Sequence, residues 1–139
     1  ITGVSSAKMS IPISVAIAFV MGKAGIDEYS MSVLEREEVK VLARKVTAQV
    51  SDLYTQQFPK KSPAKLEMTL KDGRQIERIV EYPKGEPDFP LSDDELTQKF
   101  QDLAVFSGMP LERAEEISQR IWNLPADLDK IFPLLSKQQ

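Results

Sequence analysis

The chain has 139 residues, 42% hydrophobic and 28% charged, with 18 basic and 21 acidic side chains for a net charge of −3. A chain of this size can bury roughly 68% of its unfolded surface without disulfides, and it lacks the basic excess of a nucleic-acid binder. It contains no His and no Cys, so thiol chemistry and zinc sites built on those ligands are excluded, and catalysis within it must rest on carboxylates, Lys, Tyr or Ser.

The sequence opens on Ile1 and reads as the interior of a longer protein. The first element is an apolar run from Ile11 to Met21. Eleven residues fall short of the ~20 that span a bilayer, so the run is expected to be a buried core helix. No basic region precedes it and no small-residue cleavage site follows it, which argues against a signal peptide. Ser10 is placed to cap this helix, Pro12 sits in the first turn where a missing amide is harmless, and Gly22 supplies the stop. A short helix is expected over Ile26–Tyr29. Ser32 and Glu35 have capping-box spacing for a further helix with Val39, Leu42, Ala43 and Val46 on one face. Its charge run, from Glu35 through Lys40 and Arg44, is read as a solvated face.

From Val46 to Val50 the apolar period shortens to two, predicting a strand. A polar loop, Thr55 to Pro63, precedes a second alternating segment, Ala64 to Leu70, and Asp72-Gly73 marks a hairpin whose return strand runs to Tyr82. A three-residue loop, Lys71-Asp72-Gly73, sets Met68 opposite Ile76 and Ala64 opposite Val80, uniting the apolar faces, with Gly73 in the left-handed position. A Pro-rich connector ends at Ser92 and Glu95, a second capping box, with Asp93 and Asp94 suited to the helix dipole. Leu96, Phe100, Leu103 and Ala104 form the apolar face of that helix. Ser107-Gly108 breaks it, Pro110 opens another that ends near Trp122, and a last helix is expected over Leu128–Leu135. Helices, then strands, then helices make an α+β fold: a small antiparallel sheet with a hairpin, packed with several helices in one domain over 1–139.

Candidate sites are few. Asp93, Asp94 and Glu95 are consecutive and diverge around a helix, so capping explains them better than a metal does. Lys84-Gly85 lacks the other features of a phosphate loop. Lys8 and Ser10 precede the buried helix, whose N-terminal amides favour an anion, and the Lys would reinforce that field. No metal and no cofactor is expected.

The order of motifs resembles the C-terminal domain of the MmgE/PrpD family. The resemblance runs from Ala7-Lys8-Met9-Ser10-Ile11-Pro12 with Gly22-Lys23, through Leu70-Lys71-Asp72-Gly73 and Pro83-Lys84-Gly85-Glu86-Pro87. It continues over Pro90-Leu91-Ser92-Asp93-Asp94-Glu95-Leu96 and ends at Ile121-Trp122-Asn123-Leu124. The family includes 2-methylcitrate dehydratase, cis-aconitate decarboxylase and an iminodisuccinate epimerase, which act on small polycarboxylates. The resemblance implies a C-terminal lid-type domain forming one wall of an active site shared with a larger N-terminal helical domain, which carries the catalytic His residues. It further implies a cytoplasmic lyase or isomerase, a homodimer, and a fragment that is inactive alone, with no catalytic residue of its own and with Lys8 and Ser10 as substrate-carboxylate contacts. Where family members carry a Tyr near the substrate, this chain has Ile13. The alternative is a non-catalytic binding or assembly module that retains the fold.

Overall fold

A computed structural model describes residues 3–124. Among them, seven helices and a two-stranded antiparallel sheet make an α+β chain. The backbone divides into two compact units, one over Ile1–Ala48 and Thr97–Gln139 and the other over Gln49–Leu96.

The first unit begins with four short helices: α1 (Val4–Lys8), α2 (Ile11–Met21), α3 (Met31–Leu34) and α4 (Glu37–Ala43). Helix α2 has the predicted bounds. Ser10 is extended at its N-cap, and Gly22 ends it at φ 76°, a left-handed conformation that glycine adopts without a Cβ clash. The Ser10 hydroxyl, however, makes no capping bond. A cap accepts from the second or third helical amide; Pro12, the second helical residue, has none, which leaves only Ile13 as a donor. Ala7, Ile13, Ala16 and Ile17 meet Val33, Leu34 and Val39 in one buried cluster, with Tyr29 and Leu42 packed against it. The small side chains of Ala7 and Ala16 let α1 and α4 approach α2 closely, and Ile17 and Ala16 are fully buried.

Three local expectations in this region fail, each for a physical reason. Residues 26–29 form a turn, not a helix. The buried Glu28 carboxylate takes the Gly25 amide at 2.9 Å and the Lys23 ammonium at 3.1 Å, which ties the turn to itself. Burial pushes the Glu28 carboxyl up, but the Lys23 hydrogen bond, the Gly25 amide and the Lys23 charge together hold it below the usual carboxylate range. Gly25 allows this approach, because a Cβ there would sit 3.1 Å from Glu28 Oε2. The Ser32–Glu35 capping box does not form either. Ser30 occupies the N-cap of α3, Ser32 lies inside that helix with its hydroxyl 3.0 Å from that of Ser30, and Arg36 turns extended before α4 begins. Finally, 46–50 is not a strand. Alternation yields a strand only where a neighbour supplies a ladder, and among the described residues the sheet is formed by two other segments.

The second unit holds α5 (Asp52–Thr55), one turn that the sequence did not announce, and the hairpin of β1 (Ala64–Thr69) and β2 (Gln75–Val80). The register is the expected one: Met68 opposes Ile76, Leu66 opposes Arg78 and Ala64 opposes Val80. The Leu70 amide bonds the Arg74 carbonyl at 2.8 Å and Gly73 sits at φ 86°, so the connection is the three-residue loop with a left-handed glycine. Helix α6 (Asp93–Phe106) opens on the predicted box: the Glu95 amide donates to Ser92 Oγ at 3.2 Å and the Ser92 amide to Glu95 Oε2 at 2.9 Å.

The remainder of α6 and helix α7 (Leu111–Trp122) belong to the first unit. Gly108, at φ 92°, separates them. Ala104, Ala114 and Ile117 are buried, and the Trp122 indole donates to Thr97 Oγ1 at 2.8 Å, linking the two helices. The helix expected over Leu128–Leu135 lies outside the described residues. No helix among the described residues is long and apolar enough to cross a membrane.

Candidate functional site

The first unit carries an open groove of about 570 Å³ at the start of α2. That volume lies within the range of small-ligand clefts. Three segments build it. Ser10 and Ile13 come from the first turn of α2, Leu34 and Glu35 from the end of α3, and Lys40 and Arg44 from α4 and its C-cap. Ile13 and Leu34 are buried and make an apolar floor, while Glu35, Lys40 and Arg44 are exposed around it. A groove with an apolar base and separated charges suits a small, anionic, partly hydrocarbon molecule.

Of the two residues singled out from the sequence, Ser10 lines this groove and Lys8 does not. The Ser10 hydroxyl has no capping role, so it can donate to a ligand. Lys8, exposed in the last turn of α1, holds its ammonium 6.0 Å from the centre of the Tyr29 ring, at the outer reach of a cation–π contact. Tyr29 in turn donates to Ser14 Oγ at 2.6 Å. Lys8 and Ser10 thus flank Met9 at the α1–α2 junction. Ile13 forms groove floor and offers no polar atom.

Two further sites considered from sequence are committed to structure. Lys84 lies 2.9 Å from Glu95 Oε2 and 4.7 Å from the centre of the Phe89 ring. It therefore fastens the connector to the capping box. The Glu95 carboxyl is held below the usual range by the Ser92 amide first and by Lys84 second. Glu95 is thereby spent on capping, and no metal-type cluster of three carboxylates occurs among the described residues.

Glu35, Lys40 and Arg44, read from the sequence as a solvated face, are exposed as expected, and they also rim the groove, which the sequence reading did not anticipate. One signal was present: Lys40 and Arg44 are like charges four residues apart, an arrangement that mildly destabilises a helix and calls for a reason.

No curated protein and no solved structure matches the chain. The family model for the MmgE/PrpD C-terminal domain matches residues 3–124, which includes every described element and the whole groove. With so much of its length covered, the chain belongs to the MmgE/PrpD family, as its C-terminal domain.

Proposed function

We propose that this domain forms one wall of the active site of a 2-methylcitrate dehydratase-like lyase acting on a small polycarboxylate. The observation that carries the proposal is the groove at the start of α2, where an uncommitted Ser10 hydroxyl stands over an apolar floor. Ser10 donates to one substrate carboxylate, and Lys8, two residues before it and outside the groove lining, supplies a full positive charge nearby. Removing a proton from a carbon beside a carboxylate builds negative charge on the carboxylate oxygens, so contacts to them strengthen in the transition state. The chain contains no His, and the proton-transfer groups are assigned to an N-terminal helical domain of the parent. That domain is proposed to cover α2, whose Ile11 and Phe19 are 61% and 48% exposed. Assembly as a homodimer in the cytoplasm belongs to the same proposal.

The test is steady-state kinetics of the parent enzyme on 2-methylcitrate, citrate and cis-aconitate. Lys8→Ala is expected to lower kcat/KM by roughly 10- to 150-fold, the worth of one charge-assisted hydrogen bond. Ser10→Ala should cost less, because its hydroxyl is neutral. Unchanged kcat/KM in both variants would remove Lys8 and Ser10 from the site.

A further inference from the structure

We propose that Tyr29 is a positioning residue for Lys8: its ring seats the Lys8 ammonium on the side of α2 that carries Ser10, and its hydroxyl locks that ring to the helix. This deepens the active-site reading above and rests on it for the part Lys8 plays in turnover. The Tyr29 hydroxyl donates to Ser14 Oγ at 2.6 Å. Ser10 and Ser14 are four residues apart at the start of α2 and therefore share one helix face. The Lys8 ammonium stands 6.0 Å from the centre of the Tyr29 ring. Ser10, which lines the groove, and Lys8, which does not, are thus connected through Ser14 and Tyr29.

Tyr29 is itself firmly held. Its ring packs against the buried cluster of the first unit. Glu28, the residue before it, is 5% exposed and binds the Gly25 amide at 2.9 Å and the Lys23 ammonium at 3.1 Å, which fixes the turn that delivers the ring. Ser30, the residue after it, is the extended N-cap of α3. Lys8, by contrast, is exposed in the last turn of α1 and carries its charge on a flexible four-carbon stem, so most of its rotamers would take the ammonium into solvent. An aromatic face attracts an ammonium and lets the stem lie along apolar surface. The seat therefore reduces the side-chain entropy lost when Lys8 meets a carboxylate. At 6.0 Å the contact is weak enough to bias Lys8 without withholding it from an anion, whose full charge outcompetes a ring quadrupole.

Proton NMR of the full chain reads the seat directly, because protons over the face of an aromatic ring are shifted upfield. The Lys8 ε-methylene resonances should lie upfield of the ordinary lysine position. They should return to it in Tyr29→Leu, while Tyr29→Phe, which keeps the ring and loses the Ser14 bond, should retain part of the shift. Far-UV circular dichroism checks each variant for folding. In the parent enzyme Tyr29→Leu should lower kcat/KM by about two- to fivefold and Tyr29→Phe by less. In a Lys8→Ala background Tyr29→Leu should cost nothing further, because a residue that acts through Lys8 then has nothing left to position. Lys8 methylenes at the ordinary position in the unmodified chain, wild-type kcat/KM in Tyr29→Leu, or an equal loss from Tyr29→Leu with and without Lys8 would overturn the proposal; the last is what a purely structural Tyr29 gives. If Lys8→Ala leaves kcat/KM unchanged while the upfield shift is present, the role given to Lys8 in turnover falls and the seat stands. If Lys8→Ala lowers kcat/KM and the shift is absent, the active-site reading stands and this inference falls.

Discussion

The α1–α4 region and the β-hairpin are held together by different physics. In the helical region the chain buries a contiguous apolar cluster in which Ala7, Ala16 and Ile17 are fully shielded. In the hairpin every residue of β2 is exposed, and Ile79 keeps 54% of its surface open. What defines the hairpin is local: a left-handed Gly73, Asp72 accepting from the Arg74 amide at 3.0 Å, and a cross-strand ladder in fixed register. Burial is cooperative and nondirectional, whereas turn chemistry is local and directional. One is damaged by losing volume, the other by losing a dihedral angle or a hydrogen bond.

The largest expected effect lies in the helical region. Ile17→Ala leaves a cavity among α1, α3 and α4, and a buried Ile→Ala costs about 2–5 kcal/mol. Urea denaturation followed by Trp122, the single Trp and a member of the same unit, should show a clearly lowered midpoint. A wild-type midpoint would mean that the cluster around Ile17 is not what holds this unit together. Next comes Gly73→Ala. A Cβ at Gly73 would meet nothing within 4 Å, so the cost is that of the left-handed backbone alone, about 1–2 kcal/mol. Gly73→Asn should recover much of it, since Asn tolerates that conformation. Amide exchange at Leu70 reads the effect, and equal loss in the Ala and Asn variants would point to something other than the dihedral angle.

The same contrast explains what was legible in the sequence. The hairpin register and the Ser92–Glu95 box could be read because a few adjacent residues determine them. Helix α2 could be read because an eleven-residue, mostly apolar run is bounded by Ser10 and Gly22. The α3–α4 break could not. Ser30 and Ser32 compete for one cap, and the Arg36 side chain reaches Met21 Sδ at 3.3 Å on another helix, a tertiary contact with no trace in local spacing. The candidate site divides in the same way. Ser10 stood out as a position before an apolar helix, whereas Glu35, Lys40 and Arg44 share a groove only because that break re-aims Glu35. Without it, a charge run on a helix is read as solvated, as it was.

The box at α6 lies between these extremes, being local but dependent on charge. Ser92→Ala should cost about 1 kcal/mol, read as faster exchange of the Glu95 amide. Its partner adds a pH dependence whose sign follows from the depressed Glu95 carboxyl. A group bound more weakly to its proton when folded stabilises above its unfolded pKa, and that contribution is lost as pH falls through the folded value. Protection at the start of α6 should therefore persist at neutral pH and decline as pH falls through and below the ordinary carboxylate range. Glu95→Gln should show less protection at neutral pH and a flatter profile. A parallel decline in both proteins would assign the acid sensitivity to another carboxylate.

The smallest effect belongs to the surface of the hairpin, and it tests whether charge contributes to a structure otherwise set by its turn. Glu67 and Glu77 are directly opposed in the register, a like-charge pair that by itself destabilises a sheet. Lys65, two residues before Glu67 and on the same face of β1, reaches both, at 3.0 Å to Glu67 Oε1 and 3.1 Å to Glu77 Oε2. These hydrogen bonds and charges raise the Lys65 ammonium above its ordinary pKa, so Lys65 carries its full charge at neutral pH and gives it up only above the ordinary Lys range. Lys65→Gln removes the bridge and leaves the two carboxylates facing each other. The resulting loss of hairpin stability should be small, greatest at low ionic strength, and mostly gone at 1 M salt, where the Debye length has shrunk to about 3 Å. Glu77→Gln in the same background should restore stability, because it abolishes the repulsion that Lys65 had been cancelling. A loss that is independent of salt and is not rescued by Glu77→Gln would show that the Lys65 stem, packed across the strands, matters more than its charge, and would make the hairpin more like the helical region than its exposure implies.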